Sequence, residues 1–244
     1  MNYAVIFSGG VGSRMRSKVG PKQYMEVEGK PILIYTLERF STNEVIDKIF
    51  VVVAEDYVTH VKEVIETFKV DKVVDVVAGG DSAHASIIQG IEAVKRDGAK
   101  EDDIVLFHDG VRPIIDENTI YKSIKVTESN GNSITCIPAF ETVAQSLDKE
   151  SIDKVTVRDE MFILQAPQTY RFEDAYDLNQ RAIEDGIVGQ VVDQAELNRH
   201  YGKTLYLSEG LHGNVKITFP LDFTYFEFLV KSGKYKEIIE GITV

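Results

Sequence analysis

Apolar and polar positions alternate in blocks along the first half of the chain. Short apolar runs rich in β-branched residues, at Tyr3–Ser8, Lys48–Ala54, Lys72–Ala78, Asp103–Phe107 and Ser133–Pro138, read as strands. Between them, Pro31–Ser41, Tyr57–Phe68, Ser82–Arg96 and Glu117–Ser129 read as helices. In the second of these, Val58, Val61, Ile65 and Phe68 share one face. Strands that are apolar on both faces and alternate with helices predict an α/β fold, with a Rossmann-like, mostly parallel sheet flanked by helices. Such sheets bind ligands outside the carboxyl ends of their strands.

The pattern changes near residue 139. Thr142–Leu147 and Lys154–Arg158 read as two short strands around the polar turn Asp148-Lys149-Glu150-Ser151, which predicts a projecting β-hairpin arm over residues 139–160. Beyond it, Met161–Gln165, Thr204–Leu207 and Val215–Thr218 read as strands, and Glu173–Ile183, Asp193–His200 and Leu221–Val230 as helices. Without an internal repeat or linker, one domain over residues 1–244 carrying the arm is the simplest organisation.

Charge narrows the function. The formal net charge is -12. That argues against nucleic acid or an anionic membrane as a general partner, because both require a basic face. Cys136 is the sole cysteine, so no internal disulfide forms, and its apolar neighbours predict a buried thiol. With no basic leader and no run of ~18 apolar residues, the expected location is the cytoplasm, with no membrane span. Against this acidic background, Ser8–Tyr24 (SGGVGSRMRSKVGPKQY) collects four glycines and the four cations Arg14, Arg16, Lys18 and Lys22, with no acid among them. A glycine loop after a strand lets backbone N–H groups approach a phosphate. The cations repel one another until an anion such as a triphosphate joins them. The loop is not a Walker A motif, and Met15 stands where a dinucleotide fingerprint needs its last glycine, which disfavours a dinucleotide-dependent oxidoreductase.

Ser8-Gly9-Gly10-Val11-Gly12-Ser13-Arg14-Met15, followed by Pro21-Lys22-Gln23-Tyr24, resembles the signature of cytidylyltransferases acting on sugar-alcohol phosphates. The resemblance continues in order through Gly79-Gly80-Asp81 with Ser86, His108-Asp109-Gly110-Val111-Arg112-Pro113, Arg158 with Pro167-Gln168-Thr169, and Asn214-Val215-Lys216-Ile217-Thr218. It spans essentially the whole chain.

The resemblance implies CMP transfer from CTP to a polyol phosphate, giving a CDP-polyol and pyrophosphate, in the service of a surface polymer. It assigns catalytic roles to Arg14, Lys22 and Lys216. Ser8, Gly9, Gly10, Gly12 and Ser13 would wrap the triphosphate, while Gly79, Gly80, Asp81 and Ser86 would read the base. Asp109 and Gly110 would lie by the nucleotide, with Asp109 beside the ribose, the substrate hydroxyls or a hydrated Mg²⁺. Arg112 would either hold the polyol phosphate or tie down its loop. Thr142, Arg158 and Thr218 would contact the acceptor, the first two from an arm crossing to a partner subunit in a homodimer. Mg²⁺ is the expected cofactor, carried chiefly on the phosphates.

Three departures bear on the acceptor. Ser82-Ala83-His84-Ala85 lacks the family's arginine, for which His84 is the candidate replacement. Ala166 stands where a threonine often precedes the Pro-Gln pair, and Val192 where methylerythritol-phosphate enzymes tend to carry one. Each lost hydrogen bond to a charged group is worth roughly 1.5–3 kcal/mol, enough to redirect specificity. They favour ribitol 5-phosphate or a similar polyol phosphate over 2-C-methyl-D-erythritol 4-phosphate, which stays as the alternative. His60 and His200 read as surface residues, and Phe223, Phe226 and Phe228 as core.

Overall fold

A computed structural model describes residues 1–10 and 20–241. The parallel strands β1 (Asn2–Ser8), β4 (Lys48–Val53), β5 (Val73–Ala78), β6 (Ile104–Asp109) and β7 (Asn132–Pro138) are joined in chain order by helices α1 (Ile32–Ser41), α2 (Val58–Phe68), α3 (Ala83–Arg96) and α4 (Glu117–Asn130). A small hairpin, β2 (Glu26–Val27) and β3 (Lys30–Pro31), precedes α1. The arm carries β8 (Ala144–Gln145) and β9 (Lys154–Val155). The chain continues through β10 (Phe162–Arg171), α5 (Phe172–Glu184), α6 (Gln194–His200), β11 (Leu207–Glu209), α7 (Pro220–Lys231) and α8 (Lys234–Ile239).

Among the described residues the main sheet has seven strands in the order β11-β7-β10-β6-β1-β4-β5. β10 runs antiparallel to both its neighbours, and the other pairings are parallel. Alternation along β1 fills two cores. Ala4 and Ile6 pack with Leu33, Leu37, Phe40, Val61 and Ile120 on the α1, α2 and α4 side. Tyr3 and Val5 pack with Ile87, Ile91, Phe172 and Ala175 on the α3 and α5 side. A third cluster seats α7 on the base of α1 through Phe226, Leu229, Tyr35 and Ile32, and includes Val111 and Ile217. The chain moves outward from β1 to β4 and β5, then returns to place β6 on the other flank of β1. The carboxyl ends of β1 and β6 therefore flank a topological switch point, where ligands settle in such sheets.

Most elements lie within two residues of the sequence expectation. Three do not. β10 extends past Gln165 to Arg171, absorbing Pro167 at a register shift between Leu164 and Gln168. Proline inside a central strand requires such a bulge, which is why the sequence reading stopped short. Val215–Thr218 is not a strand: it forms no ladder, and Ile217 N–H donates instead to the Val111 carbonyl at 2.9 Å. The last sheet strand lies at Leu207–Glu209 rather than Thr204–Leu207. Cys136 is buried, while His60 and His200 are exposed. Phe226 is core, whereas Phe228 is 57% exposed, a correction to its expected burial. No helix among the described residues is long and apolar enough to cross a membrane.

Candidate active site

A cleft of about 800 Å³ opens at this switch point, large enough for a nucleotide and a second small ligand. Phe7, Val52, Ile87 and Phe107 form its apolar floor. Ser8, Gly9, Gly10, Lys22, Gly80, Asp81, Ser86, Asp109, Arg112, Lys216 and Thr218, all expected site residues, line it. Gly12, Ser13 and Arg14 lie outside the described residues.

The glycine-loop wall is braced by a residue to which the sequence reading gave no role. Gln23 is buried, and its amide donates to the carbonyls of Ser8 (2.8 Å) and Gly10 (3.0 Å), clasping the end of β1 to the start of the loop. Pro21 leads into the short 3₁₀ turn Lys22–Tyr24 that presents both side chains. Tyr24 stacks on Tyr57 and meets the edge of His60, fixing this turn against α2. Lys22 is buried, with Nζ 2.6 Å from the Ile217 carbonyl.

Asp109, the last residue of β6, sits between two cations. Its Oδ2 accepts from Arg112 Nε at 2.8 Å and its Oδ1 from Lys216 Nζ at 2.7 Å. Burial works to raise its pKa, but Lys216 and Arg112 outweigh it and hold the carboxyl well below the usual range. Arg112 also donates from Nη1 to the Asn214 carbonyl at 2.8 Å, so it ties its loop down, the second of its two expected roles. His108 is buried at the cleft's edge, packed on Phe40 with Nε2 against the Arg112 carbonyl, and burial lowers its pKa to about 4. It is therefore neutral at pH 7 and structural. Among the described residues no group of three His, Cys, Asp or Glu side chains could hold a metal. The two cations engage both Asp109 oxygens in this state.

The wall expected to read the base is Gly79–Ser86. Ser82 caps α3, accepting from Ala85 N–H at 3.0 Å. Ser86 Oγ accepts from Gly80 N–H at 3.2 Å and donates to the Ser82 carbonyl at 3.0 Å, so this hydroxyl shapes the loop. Gly79 and Gly110 pack behind the wall: a Cβ on Gly79 would meet Ser86 Oγ at 2.7 Å, and one on Gly110 would meet Leu33 Cδ1 at 2.9 Å. A Cβ on Gly80 would lie 2.5 Å from Ala85 Cβ and 3.1 Å from the Ala85 backbone carbon, so the loop would have to leave α3. Gly80→Ala is expected to raise KM for CTP at least about tenfold with kcat changed far less, the signature of lost ground-state binding. Steady-state kinetics checks it, and an unchanged KM would remove the base-reading role. His84 is not the arginine replacement: it is fully buried behind the loop, with Nε2 3.0 Å from Asn179 Oδ1.

The opposite wall comes from β10 and the start of α6. Gln168 donates to Asp193 Oδ2 and accepts from the N–H of Ala195, both at 3.0 Å. Asp193 also caps α6 through Glu196 N–H at 2.8 Å. Leu164, Ala166 and Val192 give this wall an apolar surface. Asn214 donates to the Ala166 carbonyl at 2.6 Å, joining the wall to the Lys216 segment. Thr142 and Arg158 are exposed on the arm and do not line their own chain's cleft. Motif spacing named Gln168 and Asn214, but only the fold reveals that they hold two walls in place.

Comparison with known proteins follows the same outline. Residues 2–232 match the family model described as IspD: 2-C-methyl-D-erythritol 4-phosphate cytidylyltransferase. The chain is 40% identical over 238 residues to ribitol-5-phosphate cytidylyltransferase of Streptococcus agalactiae serotype III, covering 98% of this chain and 99% of the relative. It is 33% identical over 235 residues to 2-C-methyl-D-erythritol 4-phosphate cytidylyltransferase of Clostridium novyi, covering 96% of this chain and 98% of the relative. The structure matches 4-diphosphocytidyl-2C-methyl-D-erythritol synthase from Anaerococcus prevotii with a TM-score of 0.79 and 26% identity, over 94% of this chain and 96% of that one. The chain belongs to the IspD family of nucleotidyltransferases, and from the motifs that carried the resemblance Lys22, Gly80, Asp81, Asp109, Arg112, Gln168 and Lys216 line the cleft at the switch point.

Proposed function

We propose that the protein is a CTP-dependent cytidylyltransferase that transfers CMP to a polyol phosphate, with ribitol 5-phosphate the leading acceptor. The observation that carries this reading is the gathering of Lys22, Arg112 and Lys216 in one cleft beside the glycine loop, the last two paired with Asp109, with room for both substrates. The acceptor rests on the stronger likeness to ribitol-5-phosphate enzymes, at 40% identity against 33% for the methylerythritol-phosphate relative.

An acceptor phosphate oxygen attacks the α-phosphorus of CTP in line. The new P–O bond forms as the bond to the β-phosphate bridging oxygen breaks, and that oxygen leaves with the electron pair as pyrophosphate. A phosphate monoester with its second pKa near ~6 is already a dianion, so no protein base is required. Arg14, Lys22 and Lys216 stabilise the charge that builds on the α-phosphoryl oxygens and the leaving group. For Lys216 this means exchanging Asp109 for a phosphate. Mg²⁺ enters with the triphosphate rather than on a protein cage. Chelation is therefore expected to abolish turnover, while Asp109→Asn leaves the Mg²⁺ concentration for half-activity within about threefold. A tenfold rise would instead make Asp109 a ligand.

The arm completes the site of a second copy in a homodimer. This reading is supported by exposed apolar side chains along it, among them Leu147, Ile152, Val155 and Val157. Mixed dimers of an Arg158→Ala chain and a Lys22→Ala chain are expected to regain activity, since one of the two sites is then intact. Proven heterodimers without rescue would remove the shared site. The reaction belongs in the cytoplasm, where it yields an activated polyol for later transfer to a polymer.

The test is pyrophosphate release from CTP with Mg²⁺ across ribitol 5-, 2-C-methyl-D-erythritol 4-, glycerol and mannitol phosphates. Strong release with ribitol 5-phosphate is the expected result. Release confined to methylerythritol phosphate would overturn the acceptor, and silence across the panel the activity.

A further inference from the structure

We propose that His84 is a positioning residue: a buried relay from His84 through Asn179 to Gln194 sets the gap between the base-loop wall and the α6 wall of the cleft. The inference rests on the reading of the cleft given above.

The three side chains come from α3, α5 and α6, and all are fully buried. Asn179 donates its amide to the Ala175 carbonyl at 2.7 Å and to Gln194 Oε1 at 2.8 Å. Both its protons are thus spent, and its Oδ1 can only accept. His84 must therefore donate from Nε2, which fixes the neutral tautomer. Burial lowers the His84 pKa, in keeping with a neutral ring.

Each end of the relay is rooted in a cleft wall. His84 lies in the first turn of α3, between Ala83 and Ser86, which both line the cleft. Gln194 is the first residue of α6, follows Asp193, and itself lines the cleft. The α5–α6 connection has no regular structure, yet it rests on the base loop: a Cβ on Gly189 would lie 3.4 Å from Ser82 Oγ. Apolar side chains would fill this interior without fixing a distance. Hydrogen bonds in a low-dielectric interior impose one, since leaving any member unpaired is costly. In the reading above CTP lies against the Gly79–Ser86 wall and the acceptor meets the α6 wall, so a change in the gap weakens the ground-state grip on both.

His84→Leu removes the donor at similar size, Asn179→Leu removes the centre without touching the cleft, and His84→Gln keeps a donor. Read-outs are CTP affinity by calorimetry, KM for CTP and for ribitol 5-phosphate, and kcat. Either leucine variant is expected to weaken CTP and to raise both KM values about tenfold, with kcat within about threefold. The double variant should be no worse than either single, since one relay is already broken. His84→Gln should stay within about threefold of wild type throughout. A folded leucine variant with unchanged KM values, or a shift confined to CTP, would overturn the relay. If the leucine variants do not fold, His84→Gln decides alone: a tenfold rise in both KM values despite a retained donor would count against it. Absence of wild-type turnover with ribitol 5-phosphate would sink the acceptor and not the relay, because CTP binding to Asn179→Leu is measured without turnover.

Discussion

Lys22→Ala is expected to lower kcat by about 10²–10³ while weakening CTP binding no more than about fivefold. Lys22 Nζ is buried beside the glycine loop, 2.6 Å from the Ile217 carbonyl. That bond, to a residue of the Lys216 segment, holds the ammonium at the cleft, which Lys22 lines. A cation fixed there acts most strongly on the phosphoryl oxygens where charge is growing. Interactions stronger in the transition state than in the ground state appear in kcat, whereas equal binding of both appears in KM. Lys22→Arg should not rescue, because a planar guanidinium is bulkier than an ammonium and aims its donors differently. Single-turnover rates and calorimetric affinity for CTP separate the two quantities. Matching losses in rate and affinity would show that Lys22 merely holds the nucleotide.

Asp109→Asn should behave in the opposite sense toward the nucleotide. In the resting protein Asp109 partly neutralises Arg112 and Lys216, and a polyanion entering the cleft meets that negative charge. Removing it should leave CTP binding unchanged or up to about tenfold tighter, since one unit charge a few ångströms away is worth on the order of 1–2 kcal/mol after screening. Turnover should fall by about 100-fold, because Arg112 loses the anchor that with the Asn214 carbonyl holds its loop, and Lys216 is no longer held at the cleft until phosphate arrives. The folded state should lose about 2 kcal/mol, below the range for fully buried pairs because Asp109 is partly exposed. In a chain of this size that is a fall in Tm of roughly 4–8 °C. Its low pKa places the loss of this clamp in acid only: the stabilisation is complete above the unfolded carboxylate pKa and disappears as pH falls through the lower folded value. CTP binding weakened more than tenfold in Asp109→Asn would mean that the carboxylate touches the nucleotide and is not a clamp on the cations.

Much of this architecture is legible in the sequence for a physical reason. β1, β4, β6 and β7 lie inside a mostly parallel sheet covered by helices on both faces, with β5 at its edge, so they read as apolar runs, and the helices between them carry one apolar face. The second half of β10 escaped because Pro167 breaks the local pattern, and the bulge that accommodates it depends on the neighbouring strands. Glycine and charge marked the loop from Ser8 to Lys22. Nothing local could reveal that Asp109 would meet Lys216, 107 residues away, or that Gln23 would clasp two carbonyls rather than face a ligand. His84 shows the same limit from the other side. Its place in a motif suggested contact with ligand, and only helix packing turns it inward.

The bond from Lys22 to Ile217 joins positions 195 residues apart, and Arg112 reaches the Asn214 carbonyl across 102. Ile217 in turn belongs to the cluster that seats α7. The strands β1, β4, β5 and β6 can pair as they are made, but the cationic side of the cleft exists only after the C-terminal segment has docked. Contacts that close such long loops form late. A refolding chain should therefore recover its far-ultraviolet helix and sheet signal before it recovers activity, and the interval should lengthen when Phe226 or Leu229 is trimmed. By this route the molecule delays its own chemistry until the last part of its polypeptide has been inspected by the first.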